Sequence, residues 1–126
     1  MSYRYYNPNP DGLRVGDCVI RSLTIALNRS WKDVYIELAV RGLRLSDMPS
    51  ANRVWQSLLS DSGFIRKAIN QQSCPACFLV KHFCIEHPEG TYVLCTGTHT
   101  VAVKDGDYYD TWDSGNEVPV FYWEKV

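Results

Sequence analysis

The sequence predicts an α+β fold in one domain, on three observations. Apolar residues recur at helical spacing from Cys18 to Gly63. From Thr91 onward, runs of Val, Thr, Tyr and Trp replace them, as in strands. Helical and strand runs are also segregated along the chain rather than alternating, which argues against a parallel α/β sheet. The expected architecture is N-terminal helices packed on a C-terminal antiparallel β-sheet, and the length, 126 residues, suits a single domain spanning 1–126.

Residues 7–12, NPNPDG, must be turn or extended chain. Gly16 and Asp17 follow, and Asp17 is read as an N-cap. Val19, Leu23, Ala26 and Leu27 then line one side of a helix, with Ile20 beside them and Arg21 opposite, ending near Asn28. Ser30 caps a second helix with Asp33 near its third position, and Gly42 is read as its stop. A third covers 50–61, with Ser50 as cap, Val54, Leu58 and Leu59 buried, and Gly63 ending it before an extended piece at Phe64. A short fourth helix is expected over 77–86 and is broken by His87-Pro88-Glu89-Gly90. TYVLCT, THTVAVK, DYYDTW and PVFYWEK then read as an antiparallel meander, with Asp105-Gly106 as a hairpin turn.

Bulk properties exclude several function classes. The apolar fraction of 45% and charged fraction of 21% are those of a globular protein. A net charge of −1 gives no footprint for nucleic acid, and Arg41, Arg44 and Arg53 read as a solvated helix face. The apolar runs fall short of a membrane span. The first residues lack an apolar secretory region, so the five cysteines are expected to be thiols or ligands in a reduced, cytoplasmic setting before they are disulfides.

Cys18 is the leading nucleophile candidate. It falls at the first turn of a helix, where open N–H groups and the helix dipole favour a thiolate. Asp17 opposes this, so a histidine must take the proton. His99 opens the run THTVAVK, and strand alternation places it on the face of Val101 and Val103. His82 and His87, in or just past the fourth helix, read as surface residues. Asp110 is the expected orienting acid. Pairing Lys104 with Asp107 across the turn puts it diagonal to His99, within reach through a bulge. Asp113 is the alternative acid, and Trp112 would shield the histidine–acid bond from water. Cys84 and Cys95 read as packing residues. Cys74-Pro75-Ala76-Cys77 with Cys84 and His87 offers an alternative set of four zinc ligands, tightly spaced for a structural site.

Taken in order, Asn9-Pro10-Asp11-Gly12, Gly16-Asp17-Cys18-Val19-Ile20-Arg21, Pro88-Glu89-Gly90-Thr91-Tyr92, His99, Asp105-Gly106 and Tyr109-Asp110-Thr111-Trp112-Asp113 resemble short papain-like cysteine peptidase-type proteins of phages and bacteria. Asp110-Thr111-Trp112 is similar to the Asn-Ser-Trp run of papain-like enzymes, with Asp in place of Asn. The resemblance covers nearly the whole chain. It implies a papain-like (cysteine-proteinase-like) fold and a Cys18-His99-Asp110 triad acting on a peptide, isopeptide or related amide of a protein, with no cofactor. It also implies an oxyanion hole made by the Cys18 backbone N–H and an upstream side-chain amide. Papain-like enzymes carry a Gln six residues before the Cys, where this chain has Gly12; Asn9 is the candidate in its place, and Asn7 the second choice. Two alternatives stand beside the hydrolase: a non-catalytic papain-fold accessory protein that binds a host partner, and a zinc-stabilised interaction module on Cys74, Cys77, Cys84 and His87.

Overall fold

The helical runs and the β-rich runs sort into three layers. The computed structural model describes residues 2–69 and 75–126, and these form four α-helices, a 3-10 turn and a six-stranded mixed sheet. Helix α1 (Cys18–Leu27) ends at Asn28, whose left-handed backbone (φ 54°) lets the N–H groups of Asn28 and Arg29 return to the carbonyls of Ile25 and Thr24. Helix α2 (Trp31–Leu45) starts as expected, the Ser30 hydroxyl accepting from the Asp33 N–H at 3.1 Å.

Gly42 does not stop α2; the helix runs on to Leu45 and turns at Ser46 (φ 55°). A Cβ at Gly42 would lie 2.9 Å from the Asp47 carbonyl oxygen and 3.1 Å from the Pro49 nitrogen. The glycine therefore admits the returning loop against the helix. Helix α3 (Asn52–Asp61) is capped at Ala51 by backbone alone, not by the Ser50 side chain. Gly63 (φ 88°) turns the chain into β2 (Phe64–Ala68).

The expected helix over 77–86 divides into a 3-10 turn at Pro75–Cys77 and α4 (Val80–Glu86). Leu79 is extended between them, and its N–H donates to His82 Nδ1 at 2.9 Å. An imidazole caps this helix, so His82 is a structural group.

The sheet order is β1 (Ser2–Tyr5), β5 (Asp107–Asp110), β4 (Thr100–Lys104), β3 (Thr91–Cys95), β6 (Phe121–Lys125), β2. Asp105 (φ 51°) and Gly106 (φ 82°) make the predicted hairpin, and Lys104 pairs with Asp107. Only β3, β4 and β5 form a meander. β6 crosses back to pair with β3, and β1 joins β5 in parallel, so the sheet is mixed rather than purely antiparallel. The strand at Ser2–Tyr5 is not readable from its sequence, because its aromatic run precedes a turn segment and its partner lies 105 residues along the chain.

The helices α1, α2 and α3 cover one face through Leu23, Leu38, Trp55 and Leu59, packed against Val93 and Trp123 of the sheet. α4 covers the other, where Phe83 and Cys84 meet Leu94, Val101 and Val103. β3 alternates between the two, with Val93 and Cys95 facing one core and Tyr92 and Leu94 the other. Each fully buried Leu, Val or Phe contributes about 1.5–3 kcal/mol through removal from water. No helix is long and apolar enough to cross a membrane among the described residues.

Candidate active site

The break at Gly16-Asp17 fixes where α1 begins, and Cys18 is its first residue. Asp17 occupies the N-cap position, but its side chain makes no cap hydrogen bond. Its carboxylate instead accepts from Arg21 Nη1 at 2.6 Å and from the Trp31 indole N–H at 2.8 Å. The first-turn N–H groups of α1 thus stay uncapped by a side chain beside the Cys18 sulfur, which favours negative charge there.

His99 lies just before β4, outside the regular strand. Alternation places it on the face of Val101 and Val103, yet those valines lie in the core under α4, while His99 lines the same cavity as Cys18 at the head of α1. The bend at 97–98 releases it from the strand's two-residue period. His99 Nε2 pairs with Asp110 Oδ2 at 2.6 Å, which leaves Nδ1 as the ring nitrogen available to a second partner. Asp110 ends β5 fully buried, aligned with Tyr5 of β1. Its Oδ1 accepts from Arg21 Nη2 at 2.8 Å and the Thr111 N–H at 2.8 Å; its Oδ2 also accepts from the Ser114 hydroxyl at 2.7 Å.

The structure thus brings Cys18, His99 and Asp110 together. Asp113 is occupied elsewhere, accepting from the Tyr108 hydroxyl at 2.5 Å and the Gly115 N–H at 3.0 Å. The Trp112 ring lies 4.9 Å from the His99 ring, tilted by 41°, and screens its outer side.

The electrostatics follow from these contacts. Burial pushes the Cys18 thiol up, but hydrogen bonds from His99 and Thr100 and the His99 charge bring it down to about 7. Burial pushes His99 down, and its bonds to Asp110 and Cys18 raise it to about 9. Burial likewise raises Asp110, but the His99 and Ser114 hydrogen bonds and the His99 and Arg21 charges hold it below the ordinary carboxylate range. Between these values a thiolate faces an imidazolium. Cys84 and Cys95 are the reverse: burial pushes both up to about 12, the neutral packing thiols expected of them.

Beside Cys18 opens a cavity of about 470 Å³. Its floor and walls are mostly apolar, with Leu38, Pro49, Trp55 and Phe121 among them, and Cys18 and His99 stand at its edge. Asn9 and Asn7 do not line it. Asn9 Oδ1 accepts from the Asp11 and Leu13 N–H groups, and Asn7 Nδ2 donates to the Gly12 and Leu13 carbonyls. Both side chains close the 7–13 turn. Gly12 itself has φ +69°, a left-handed backbone that a glutamine would strain.

Arg21, Thr100 and Ser114 are site residues that pattern reading missed. Arg21 was assigned to the helix face opposite the core; it is 4% exposed. Its signal was present in the Asp17-x-x-x-Arg21 spacing, one helical turn. Thr100 and Ser114 carried none, since a hydroxyl in a β-rich run or a loop is common.

The zinc set does not assemble in the described residues. Cys74 lies outside them, and Cys77 is held in a disulfide, which leaves its sulfur no thiolate for a metal. Cys84 packs in the core, and the His87 ring stacks on Phe83 at 3.8 Å rather than sitting free on the surface. No group of three or more His, Cys, Asp or Glu is placed to hold a metal among the described residues. No family model, curated protein or solved structure matches this chain.

Proposed function

We propose that the protein is a papain-like thiol hydrolase that cleaves a peptide, isopeptide or related amide. The observation that carries this is the Cys18–His99–Asp110 relay at the head of α1, with a 2.6 Å imidazole–carboxylate bond and an apolar cavity opening beside the sulfur. The papain-like assignment draws support from the order and placement of its parts: nucleophile at a helix start, histidine at a strand start, acid at the end of the adjacent strand.

The Cys18 thiolate attacks the carbonyl carbon, and negative charge builds on the carbonyl oxygen, where the Cys18 N–H and the uncapped first turn of α1 stabilise it. The carbon–nitrogen bond breaks as His99 gives its proton to the departing amine, leaving a thioester. A water molecule then attacks. Its proton passes to His99, the carbon–sulfur bond breaks, and the acid product leaves. Asp110 holds the imidazole in orientation throughout. The apolar cavity would seat an apolar group next to the scissile bond. Cys18 is a free thiol, the form this reaction needs.

The test is two-sided. Iodoacetamide should label Cys18 much faster than Cys84 and Cys95, and His99→Ala should slow that labelling at neutral pH by about tenfold or more. Peptide amides bearing apolar residues should be hydrolysed, and Cys18→Ala should abolish turnover. Labelling that is indifferent to His99 would overturn the reading.

A second reading, a non-catalytic binding protein on this fold, is favoured by one feature. Ile36, Val40 and Leu43 form an exposed stripe on α2, at 60%, 38% and 81% exposure. It predicts that Cys18→Ala keeps the biological effect.

A further inference from the structure

We infer that Arg21 is a positioning residue of the thiol site, aiming Asp110 at His99 and cancelling the charge of Asp17 beside the nucleophile. The inference rests on the thiol-site reading above. Its geometric basis is independent of turnover.

Arg21 lies on the helix that presents Cys18, one turn beyond Asp17. Its guanidinium spans two carboxylates: Nη1 to Asp17 Oδ1 at 2.6 Å and Nη2 to Asp110 Oδ1 at 2.8 Å. The remaining oxygen of Asp17 accepts from Trp31 of α2, that of Asp110 accepts from His99 and Ser114, and the Thr111 N–H shares Asp110 Oδ1 with Arg21. All four carboxylate oxygens are thus hydrogen-bonded, and both carboxylates are fixed in rotation. Asp110 belongs to the sheet and Cys18 to α1, and the Arg21 fork ties one to the other. The planar fork is suited to this, whereas an ammonium group is a point charge that cannot span both partners in the same way.

The charge balance explains how an aspartate can sit next to a nucleophilic cysteine. Asp17 and Asp110 bring two negative charges into the buried site, and a thiolate adds a third. Arg21 and the His99 imidazolium answer two of them. From β1, Tyr3 donates its neutral hydroxyl to the Asp110 carbonyl, and Arg14, in the loop before α1, donates to the Thr111 carbonyl as an exposed cation whose charge solvent screens. From β3, Cys95 is a neutral thiol. Asp113 is turned to Tyr108.

The experiment follows the pH dependence of Cys18 alkylation by iodoacetamide in wild type, Arg21→Met, Arg21→Lys and the double variant Asp17→Asn/Arg21→Met, with thermal melting to establish folding. The wild-type midpoint should fall near 7. Arg21→Met should raise it by about one unit, a loss of about fivefold in alkylation rate at pH 7. Arg21→Lys should raise it less. The double variant should recover part of the shift, because it removes the uncancelled Asp17 charge. A purely structural arginine would lower the melting temperature and leave the midpoint in place. A folded Arg21→Met or Arg21→Lys protein titrating at the wild-type midpoint overturns the inference. If Arg21→Met does not fold, Arg21→Lys and the double variant decide it by the same criterion. If wild-type Cys18 reacts no faster than an ordinary thiol, it is the thiol-site reading that fails instead.

Discussion

At Cys18 burial and hydrogen bonding pull in opposite directions, and hydrogen bonding wins. The thiol falls from 9.0 to about 7, while His99 rises from 6.5 to about 9. Turnover should therefore rise as pH passes about 7, where the thiolate forms, and fall as pH passes about 9, where the imidazolium loses the proton owed to the leaving group. A kcat/KM profile checks this; a single sigmoid would contradict it. The stability linkage has the matching signs. His99, with its folded value raised, contributes stability that is complete below 6.5 and lost as pH rises through about 9. Cys18, with its value depressed, contributes stability present above 9.0 and lost as pH falls through about 7. Asp110→Asn should remove the anion that raises His99, shift the alkylation midpoint of Cys18 upward, and cut turnover by about 10²–10⁴-fold. Alkylation and steady-state rates on the same protein test both effects. At this scale the sequence was legible for Cys18, His99 and Asp110, because nucleophile, base and acid are distinctive residue types in a distinctive order. For Asn9 the placement was not legible: its amide oxygen accepts from the Asp11 and Leu13 N–H groups of its own turn, and the side chain does not line the cavity.

The helices show why boundaries are harder to read than faces. The buried side of α3 follows from spacing, because a 3.6-residue period allows one apolar stripe, whereas α1 buries Arg21, Ser22 and Thr24 beside Leu23 and Ala26. Gly42 misled because glycine ends helices and also admits close packing, and a sequence does not say which. Gly42→Ala separates the two roles. An exposed glycine in a helix interior would gain about 0.5–1 kcal/mol of stability on becoming alanine. Here the new methyl meets the Asp47 carbonyl, so the variant should instead lose about 1–3 kcal/mol by chemical denaturation. His99 misled in a similar way. It lies between the bend at 97–98 and the start of β4, where the strand's two-residue period does not yet hold.

Across the molecule, the sheet separates two cores that serve different ends. The core under α1, α2 and α3 supports the nucleophile and walls the cavity; the core under α4 does neither. Leu23→Ala and Leu94→Ala should each cost about 2–5 kcal/mol as buried cavities. Only Leu23→Ala, on α1, should also slow Cys18 alkylation under conditions where both variants remain folded. Equal effects on alkylation would show that the two cores are not independent. The α+β class was legible because the change from helical to alternating patterning is a property of local sequence. The parallel β1 and the crossing of β6 were not, because both depend on which distant strand edge offers unpaired backbone groups.

The sequence by itself determined the types of α1 to α3 and of β2 to β6, the hairpin at Asp105-Gly106 and the three residues that carry the proposed chemistry, since each rests on local conformational preference or residue type. Only the tertiary structure decided how those residues are held. Arg21 reads from sequence as a cation on the outer face of a helix. It becomes buried because the end of β5 delivers a carboxylate to one branch of its guanidinium while Asp17 occupies the other. A charge can be buried only where partners meet it, and here one of those partners lies 89 residues along the chain.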